Sequence, residues 1–578
     1  MFKAFTRSKS TLRPLKRSFP TSYSRYLIFG SVFLSVGFAI GYKNANTLHT
    51  TLDDFSTLPL SKLPPPTYAN KSQFESGLAQ MIRVVGSDNV STDDATLKSH
   101  NDSFFSTHHP PKPDVQKPSA VLYPSTTAEV SELLRIAHAQ SIPIVANSGL
   151  TSIEGQNIHT RGPYSVSISF SKMNRILAFH PQDLDVVVQP GVCWSDLNDY
   201  LASYQDGSHL MFGPDPGPGA NIGGMVGTSA SGTNAFKYGT MKENVVNLTV
   251  VLADGTVIKT RQRPPKSSAG YDLTRLFIGS EGTLGLVTEI TVKLHVRPKF
   301  EYVSTACFPS IHDAAAMALD VVAQGVQPNA MEILDEKMIE FVNQSSSSSL
   351  KKQLEKPTLF FKLGGPSRKS IDDQAKLIQS LGARHNMIEF KTSTSDEESV
   401  ELWSARRNGF WSTFEYGKTV LPDVSDVQGW GTDIAVPVSK LAQVISETNA
   451  DLNASGFEDK FSIMGHVGDG NCHFLILYNS PDYRAVKAVV DRMVQRSVDA
   501  EGTVSGEHGV GVGKRRYLEE ELGCATIDLA RRIKLSLDPK RILNPDKIYV
   551  IDPNDDLDQQ LEEGDILTNE GKSSNHLH

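Results

Sequence analysis

The stretch Gly213-Pro-Asp-Pro-Gly-Pro-Gly-Ala-Asn-Ile-Gly-Gly-Met-Val-Gly-Thr-Ser-Ala-Ser-Gly-Thr-Asn-Ala-Phe-Lys-Tyr-Gly239 is dense in small residues and nearly free of charge. Ordinary disordered linkers are polar and charged, so this run belongs to a folded loop. Gly223, Gly224, Gly227 and Gly232 let backbone N–H groups approach an anion closely, and Thr228, Ser229, Ser231 and Thr233 add hydroxyl donors. Pro216 and Gly219 are counted with them as candidate contacts. The pattern suits a pyrophosphate. Upstream, Ile144-Val-Ala-Asn-Ser-Gly-Leu-Thr-Ser-Ile-Glu-Gly155 has the form of a strand followed by a second phosphate-type loop, with Asn147, Ser148, Gly149, Thr151 and Ser152 as contacts. Taken singly, either segment serves equally well as a loop that needs positive φ. There is no clean Gly-x-Gly-x-x-Gly between strand and helix with an acidic residue about twenty positions on, and no Gly-x-x-x-x-Gly-Lys-Ser/Thr. A Rossmann dinucleotide site and a P-loop are therefore poorly supported.

Chemistry concentrates further on, in Gly465-His-Val-Gly-Asp-Gly-Asn-Cys-His473 and Ser505-Gly-Glu-His-Gly509. Gly468 and Gly470 permit a tight turn, so His466 and His473 can converge from the two sides of a strand–loop–strand unit. Glu507 can add a carboxylate. Three protein ligands and an open position are the pattern of a catalytic metal, and His508 then stands beside the metal without ligating it. Two histidines and a carboxylate suit zinc first, with manganese or iron(II) as alternatives. Spacing alone does not establish this, because two histidines near a turn more often only hydrogen-bond.

The chain has 578 residues, enough for two core-bearing domains, and a formal net charge of −8, which gives no reason to propose nucleic acid as a partner. Cys193, Cys307, Cys472 and Cys524 are scattered with no Cys-x-x-Cys pair, which argues against disulfide, iron–sulfur and cysteine-zinc modules. Cys472, next to His473 on a strand, is expected to point away from the ligands. Helices are predicted over 128–140, 195–201, 313–324, 440–449 and 483–500, and strands over 142–146, 186–189, 284–296, 358–363, 432–436, 461–465 and 472–477. Asp254-Gly255 marks a hairpin between 247–252 and 256–259. Beyond Lys299 the alternation implies an α+β domain with an antiparallel sheet. Asn343 to Ser349 is a polar loop, and the acidic tail, 553–578, is expected to be disordered.

From Met1 to Arg25 there are seven Lys/Arg residues and no acidic one; the first is Asp53. A basic, serine-containing, acid-free leader has the composition of a mitochondrial presequence. Tyr26 to Tyr42 is free of charge and, at seventeen residues, at the lower limit for spanning a bilayer. The expectation is a leader over 1–25, an inner-mitochondrial-membrane anchor or sorting segment over 26–42, and a linker and N-terminal extension over 43–117. Which membrane face the catalytic body takes depends on import sorting.

Several motifs together carry a resemblance: Pro124-Ser-Thr-Thr-Ala-Glu-Val130, Val188-Gln-Pro-Gly-Val192, the long glycine run, Gly279-Ser-Glu-Gly-Thr-Leu-Gly285, Leu402-Trp-Ser-Ala-Arg406, Gly465 to Asn471 and Gly506-Glu-His-Gly509. In this order, between about Pro118 and Asp552, they resemble flavin-linked D-2-hydroxy-acid dehydrogenases of the vanillyl-alcohol-oxidase (PCMH-type FAD-binding) superfamily. Within it the chain is most similar to the fungal mitochondrial members that oxidise D-lactate and reduce cytochrome c. In that family the first phosphate loop usually has Gly-Gly-Thr-Ser; here Leu150 replaces the second glycine.

The resemblance implies an α+β chain: a two-part PCMH-type FAD-binding domain over 118–296, followed by an α+β substrate and metal domain with an antiparallel sheet over 297–552. It implies FAD, with Glu281 and Gly285 added to its contacts, and D-lactate or a similar small D-2-hydroxy acid as substrate. Arg406 matches the family's carboxylate-binding arginine. His508 would serve as general base for a hydroxyl polarised by the metal. Its implied acceptor is cytochrome c, with the body facing the intermembrane space. Some relatives have a lysine just before the Thr432-Asp433 strand, where Gln428, Gly429 and Trp430 stand here; that favours a monocarboxylate over 2-hydroxyglutarate. The alternatives are a dehydrogenase of 2-hydroxyglutarate or glycolate, and a non-catalytic membrane-anchored flavoprotein. The last would have no need of His508 beside Glu507.

Overall fold

The computed structural model describes residues 55–103, 106–204, 207–345 and 352–561. The expected leader, the apolar segment 26–42, most of the predicted 343–349 loop and the tail beyond 561 lie outside the described residues. Among the described residues no helix is long and apolar enough to cross a membrane.

From Pro59 onward the chain clusters as one unit carrying three main sheets. The first runs in the order Val90–Ser91, Ala120–Leu122, Val166–Ser169, Ile144–Asn147, with its last three strands parallel. Helix Thr127–Gln140 starts at a reciprocal cap between Thr126 and Glu129. Its apolar positions Val130, Leu133, Leu134 and Ala137 are fully buried. Helix Lys71–Val85, from the predicted extension, shares that core through Phe74 and Met81. The second sheet is antiparallel, in the order Ile176–His180, Asp185–Val188, Leu286–Lys293, Val245–Val251, Val257–Lys259. The predicted strand 284–296 ends at Lys293; His295–Val296 pairs instead with Leu210–Met211.

The third sheet is antiparallel throughout: Glu389–Thr392, Phe300–Cys307, Thr358–Gly365, Ala330–Leu334, Phe461–Gly465, Asn471–Tyr478 and Gln428–Gly431, with Ile434–Ala435 also on Asn471–Tyr478. Of the strand predicted over 432–436 only Ile434–Ala435 is strand, and Thr432 and Asp433 lie between it and Gln428–Gly431. Alternation divides this sheet's side chains. Met331, Ile333, Cys472, Phe474 and Ile476 join the core under helices Ile311–Ala323, Val438–Ala454 and Tyr483–Asp499. Ala330, Leu334 and Leu475 face helices Glu336–Gln344 and Asp396–Val420. Cys472 therefore points away from its neighbour His473. All four cysteines are free thiols.

After helix Cys524–Leu537 the chain returns to the first sheet. Ile144 donates its N–H to Ile542 O at 2.8 Å, and Asn544 donates to Ile144 O at 2.8 Å, so 542–544 adds to the sheet beside Ile144–Asn147. The tail from 553 departs from the expected disorder as far as Leu561. Leu557 and Leu561 are buried with Ile158 and Val512, and Asp555 and Asp558 each lie 2.9 Å from the buried Arg515. An acidic composition signals disorder only where nothing pairs with it; here a buried guanidinium does.

Candidate active site

Strands Phe461–Gly465 and Asn471–Tyr478 form the hairpin that the glycines imply, with Met464 opposite His473. At Gly470 φ is +75°, and a Cβ would lie 2.1 Å from Val436 O, so no side chain fits there. The His466 and His473 rings stand 5.5 Å apart and nearly perpendicular. Glu507 Oε1 lies 3.0 Å from His466 Nε2 and 3.3 Å from His473 Nε2. The ligating atoms of the three residues fall within 4.8 Å of one another.

The other nitrogen of each ring is fixed. His473 Nδ1 donates to Thr432 O, an acceptor only, at 2.9 Å, which leaves Nε2 as the nitrogen turned toward Glu507. His466 Nδ1 donates to Glu332 Oε1 at 2.7 Å, and Arg406 Nε donates to Glu332 Oε2 at 2.8 Å. A carboxylate behind a histidine is the usual support of a metal-ligating imidazole. Burial disfavours charge on His466, but Glu332 and Glu507 outweigh it and hold its pKa well above the ordinary value. Burial likewise opposes ionisation of Glu507, yet His466 holds that carboxyl well below the usual range.

A second buried carboxylate shapes the loop. Asp433 Oδ2 accepts the N–H groups of Glu507 and His508, both at 2.8 Å, and the Ser505 hydroxyl at 3.0 Å, while Oδ1 accepts Asn471 Nδ2 at 2.8 Å. Asp433, His473 and His508 also meet the geometric criterion for a metal site. Asp433, however, is already occupied by these donors, which makes the set with Glu507 the better ligand group. The His508 ring stacks on His473 at 5.1 Å. Its Nδ1 is buried without a hydrogen bond, 3.7 Å from Glu154 Oε1 and 4.0 Å from Asp433 Oδ2. Burial lowers the His508 pKa, but the two carboxylates prevail and raise it. Lys514 Nζ, 3.2 Å from Glu154 and 3.3 Å from Asp433, balances the negative charge.

Glu507 and His508 form one wall of a cavity of about 330 Å³. Of the predicted cofactor contacts, Asn147, Ser148, Gly149, Thr151, Ser152, Pro216, Gly223, Gly224, Gly227, Thr228, Glu281 and Gly285 line it. A Cβ at Gly224 would meet nothing closer than Ser148 Cβ at 4.0 Å, so this wall is bare backbone. Leu150 keeps the backbone expected of the glycine it replaces, with φ +55°. Gly219, Ser231 and Gly232 are not among the residues that line it. Gly219 O packs 2.8 Å from where a Cβ on Gly149 would be, Ser231 is buried, and Gly232, at φ +125°, passes against the backbone of Asp215. Thr233, expected as an anion donor, bonds Asp215 Oδ2 at 2.6 Å. The cavity also holds two buried acceptors without partners, Asn147 Oδ1 and Asn544 Oδ1. Two such acceptors suit a group that carries hydrogen-bond donors, as a flavin does.

Sequence reasoning missed Glu332, Asp433, Glu154, Lys514 and Asn544 as site residues. A carboxylate inside the apolar strand Ala330–Leu334 is a legible signal, because a buried charge needs a partner. Asn544 carries no such signal. Arg406 sits on helix Asp396–Val420 facing Glu332, and Arg407 is exposed.

The model of the FAD linked oxidases' C-terminal domain matches residues 297–548, and that of an FAD binding domain matches 118–261. The chain is 48% identical over 510 residues to the mitochondrial D-lactate dehydrogenase [cytochrome] of Kluyveromyces lactis, covering 87% of this chain and 86% of that one. It is 47% identical over 505 residues to D-lactate dehydrogenase [cytochrome] 1, mitochondrial, of Saccharomyces cerevisiae, covering 86% and 84%. Among solved structures, p-cresol methylhydroxylase is similar in fold, with TM-score 0.65 at 16% identity over 85% of this chain and 99% of that one.

Proposed function

Because the chain belongs to the FAD-linked oxidase family of the mitochondrial D-lactate dehydrogenases, we propose the following reading of its site. The protein is an FAD-dependent oxidoreductase that oxidises D-lactate to pyruvate and passes the electrons to a cytochrome, cytochrome c in this reading. The observation that carries the site assignment is the meeting of His466, His473 and Glu507 within 4.8 Å, with Glu507 and His508 on the cavity wall.

FAD, when bound in the cavity, supplies the acceptor for the substrate's α-hydrogen and its electron pair, and a divalent cation on His466, His473 and Glu507 supplies the positive charge that lowers the hydroxyl's pKa. Zinc comes first for that donor set, with manganese or iron(II) as alternatives. The chain does the rest. Arg406, with Nε held by Glu332, offers its terminal nitrogens to the substrate carboxylate and so fixes the α-carbon. His508 takes the hydroxyl proton on Nε2, since its Nδ1 is turned toward Glu154 and Asp433. Those carboxylates stabilise the imidazolium that results. Loss of one proton and one hydride converts the hydroxyl to the carbonyl of pyruvate.

The FAD-binding domain spans 118–296 and the substrate and metal domain 297–552, with 542–544 returning to the first. The relatives' mitochondrial names and the basic, acid-free composition of residues 1–25 support import into mitochondria, the uncharged run 26–42 supports an inner-membrane anchor, and a body in the intermembrane space follows from cytochrome c as the acceptor in this reading. The test is anaerobic mixing of the holoenzyme with D-lactate, L-lactate or D-2-hydroxyglutarate while flavin absorbance is followed. D-lactate should bleach the flavin fastest; preferential bleaching by 2-hydroxyglutarate would replace the substrate.

A further inference from the structure

Glu281 belongs to the Gly279-Ser-Glu-Gly-Thr turn, and its backbone is fastened to the cofactor cavity on two sides. Its N–H donates to Gly227 O at 2.9 Å, and its carbonyl accepts Asn544 Nδ2 at 2.7 Å; Gly227 and Asn544 both line the cavity. The side chain reaches the other way. Oε1 accepts the N–H of Val510 at 2.6 Å, and Oε2 that of Gly511 at 3.0 Å. These amides stand two and three residues after His508.

The loop's own residues are fitted to this carboxylate. At Gly509 φ is +80°, and a Cβ there would lie 2.5 Å from Glu281 Oε1. Gly511, at φ +52°, passes so close to Glu154 that a Cβ would lie 2.0 Å from Glu154 O. Gln156 Nε2 holds the carbonyl of His508 itself at 2.8 Å. Glu281 adopts the left-handed region, φ +50°, which costs a non-glycine residue energy unless the surroundings over-determine it. That strain sits in the residue joining the cavity floor to the loop.

We infer that Glu281 is a positioning residue for the reaction: its carboxylate clamps the Gly509–Gly511 backbone to the cofactor cavity and so sets the height of the His508 ring over the substrate hydroxyl. The inference rests on the reading of His508 as the base. Glu281 touches no metal ligand and makes no bond to the His508 ring, so it acts through the loop backbone and through Gln156, its side-chain partner, which holds the His508 carbonyl. The whole effect of losing the clamp should pass through His508.

The experiment compares Glu281→Asp, Glu281→Gln and His508→Ala, singly and as Glu281→Asp/His508→Ala, in the FAD-loaded full chain. The rate of flavin reduction by D-lactate is read per bound flavin, with unfolding temperature as the check on folding. Aspartate is one methylene shorter and cannot reach Val510; it should slow reduction about tenfold or more, as loss of a supporting partner behind a functional group does. Glutamine keeps an oxygen for Val510 and should be milder, with KM nearly unchanged. In the absence of His508, adding Glu281→Asp should cost little more. Hydrogen exchange of the segment 505–513 should quicken in Glu281→Asp while helix Tyr483–Asp499 stays protected. A slow His508→Ala together with a wild-type rate in Glu281→Asp would overturn this inference alone, as would costs that simply multiply in the double variant. A wild-type rate in His508→Ala would overturn the base assignment, and this inference with it.

Discussion

The carboxylate of Glu332 holds Nδ1 of His466 at 2.7 Å. That bond decides which nitrogen of His466 faces Glu507. Exchanging the carboxylate for an amide weakens the support without emptying the space. Glu332→Gln should lower divalent-metal affinity about 10- to 100-fold, the usual cost of losing a partner behind a ligating histidine. Chelator competition measures it, and an unchanged affinity would remove Glu332 from the metal reading.

His466→Ala, His473→Ala and Glu507→Ala should each abolish turnover while FAD stays bound. The ligands come from the third sheet and its following loop, whereas the cavity is built mainly by the first two sheets and their loops. Removing metal from the native protein should reproduce the loss, and re-addition should reverse it. Full activity in metal-stripped protein would end the Lewis-acid role.

Arg406→Ala should raise KM for D-lactate strongly, and Arg406→Lys should rescue only partly. A guanidinium can keep Nε on Glu332 and still present two nitrogens to a carboxylate; lysine has one nitrogen for both. His508→Ala should instead depress flavin reduction, on the order of a hundred- to ten-thousand-fold. Rapid mixing separates the two effects, and an Arg406 variant with wild-type KM would reassign the carboxylate site.

FAD should be held without a covalent bond, because the loop Asn147 to Gly155 has neither histidine nor cysteine to attach it. Acid precipitation should leave the flavin in the supernatant. A yellow pellet would show otherwise.

Asp335 gives a stability prediction independent of the site. It caps helix Glu336–Gln344 by accepting Met338 N–H at 2.8 Å, and burial pushes its carboxyl up to about 8. The raised folded-state pKa means that its contribution is fully present below the unfolded value, near 4, and is lost as pH rises toward 8. Asparagine caps equally well and never ionises. Asp335→Asn should therefore gain on the wild type in unfolding temperature between pH 5 and pH 8. An offset that stays constant with pH would contradict the buried acid.

Much of the fold was legible because local physics sets it. Val130, Leu133, Leu134 and Ala137 repeat at helical spacing behind a Thr126/Glu129 cap. Gly468 and Gly470 between two apolar runs make a hairpin whatever surrounds it. Where a neighbour far along the chain decides, local reading failed. The strand predicted over 432–436 shortens to 434–435, and Asp433, just before it, gives its carboxylate to the amides of Glu507 and His508. The acidic tail is ordered to Leu561 because a buried arginine awaits it.

The sequence by itself determined the hairpin, the glycine-walled loops and the chemical character of His466, His473, Glu507 and His508, since each depends on residue type and short spacing. Only the tertiary structure decided what stands behind them. Glu332 reaches His466 across 134 positions, Asp433 reaches Glu507 across 74, and Glu281 reaches Val510 across 229. A buried charge must find its partners wherever the packed chain brings them, and one sequence read along its length carries no record of that distance.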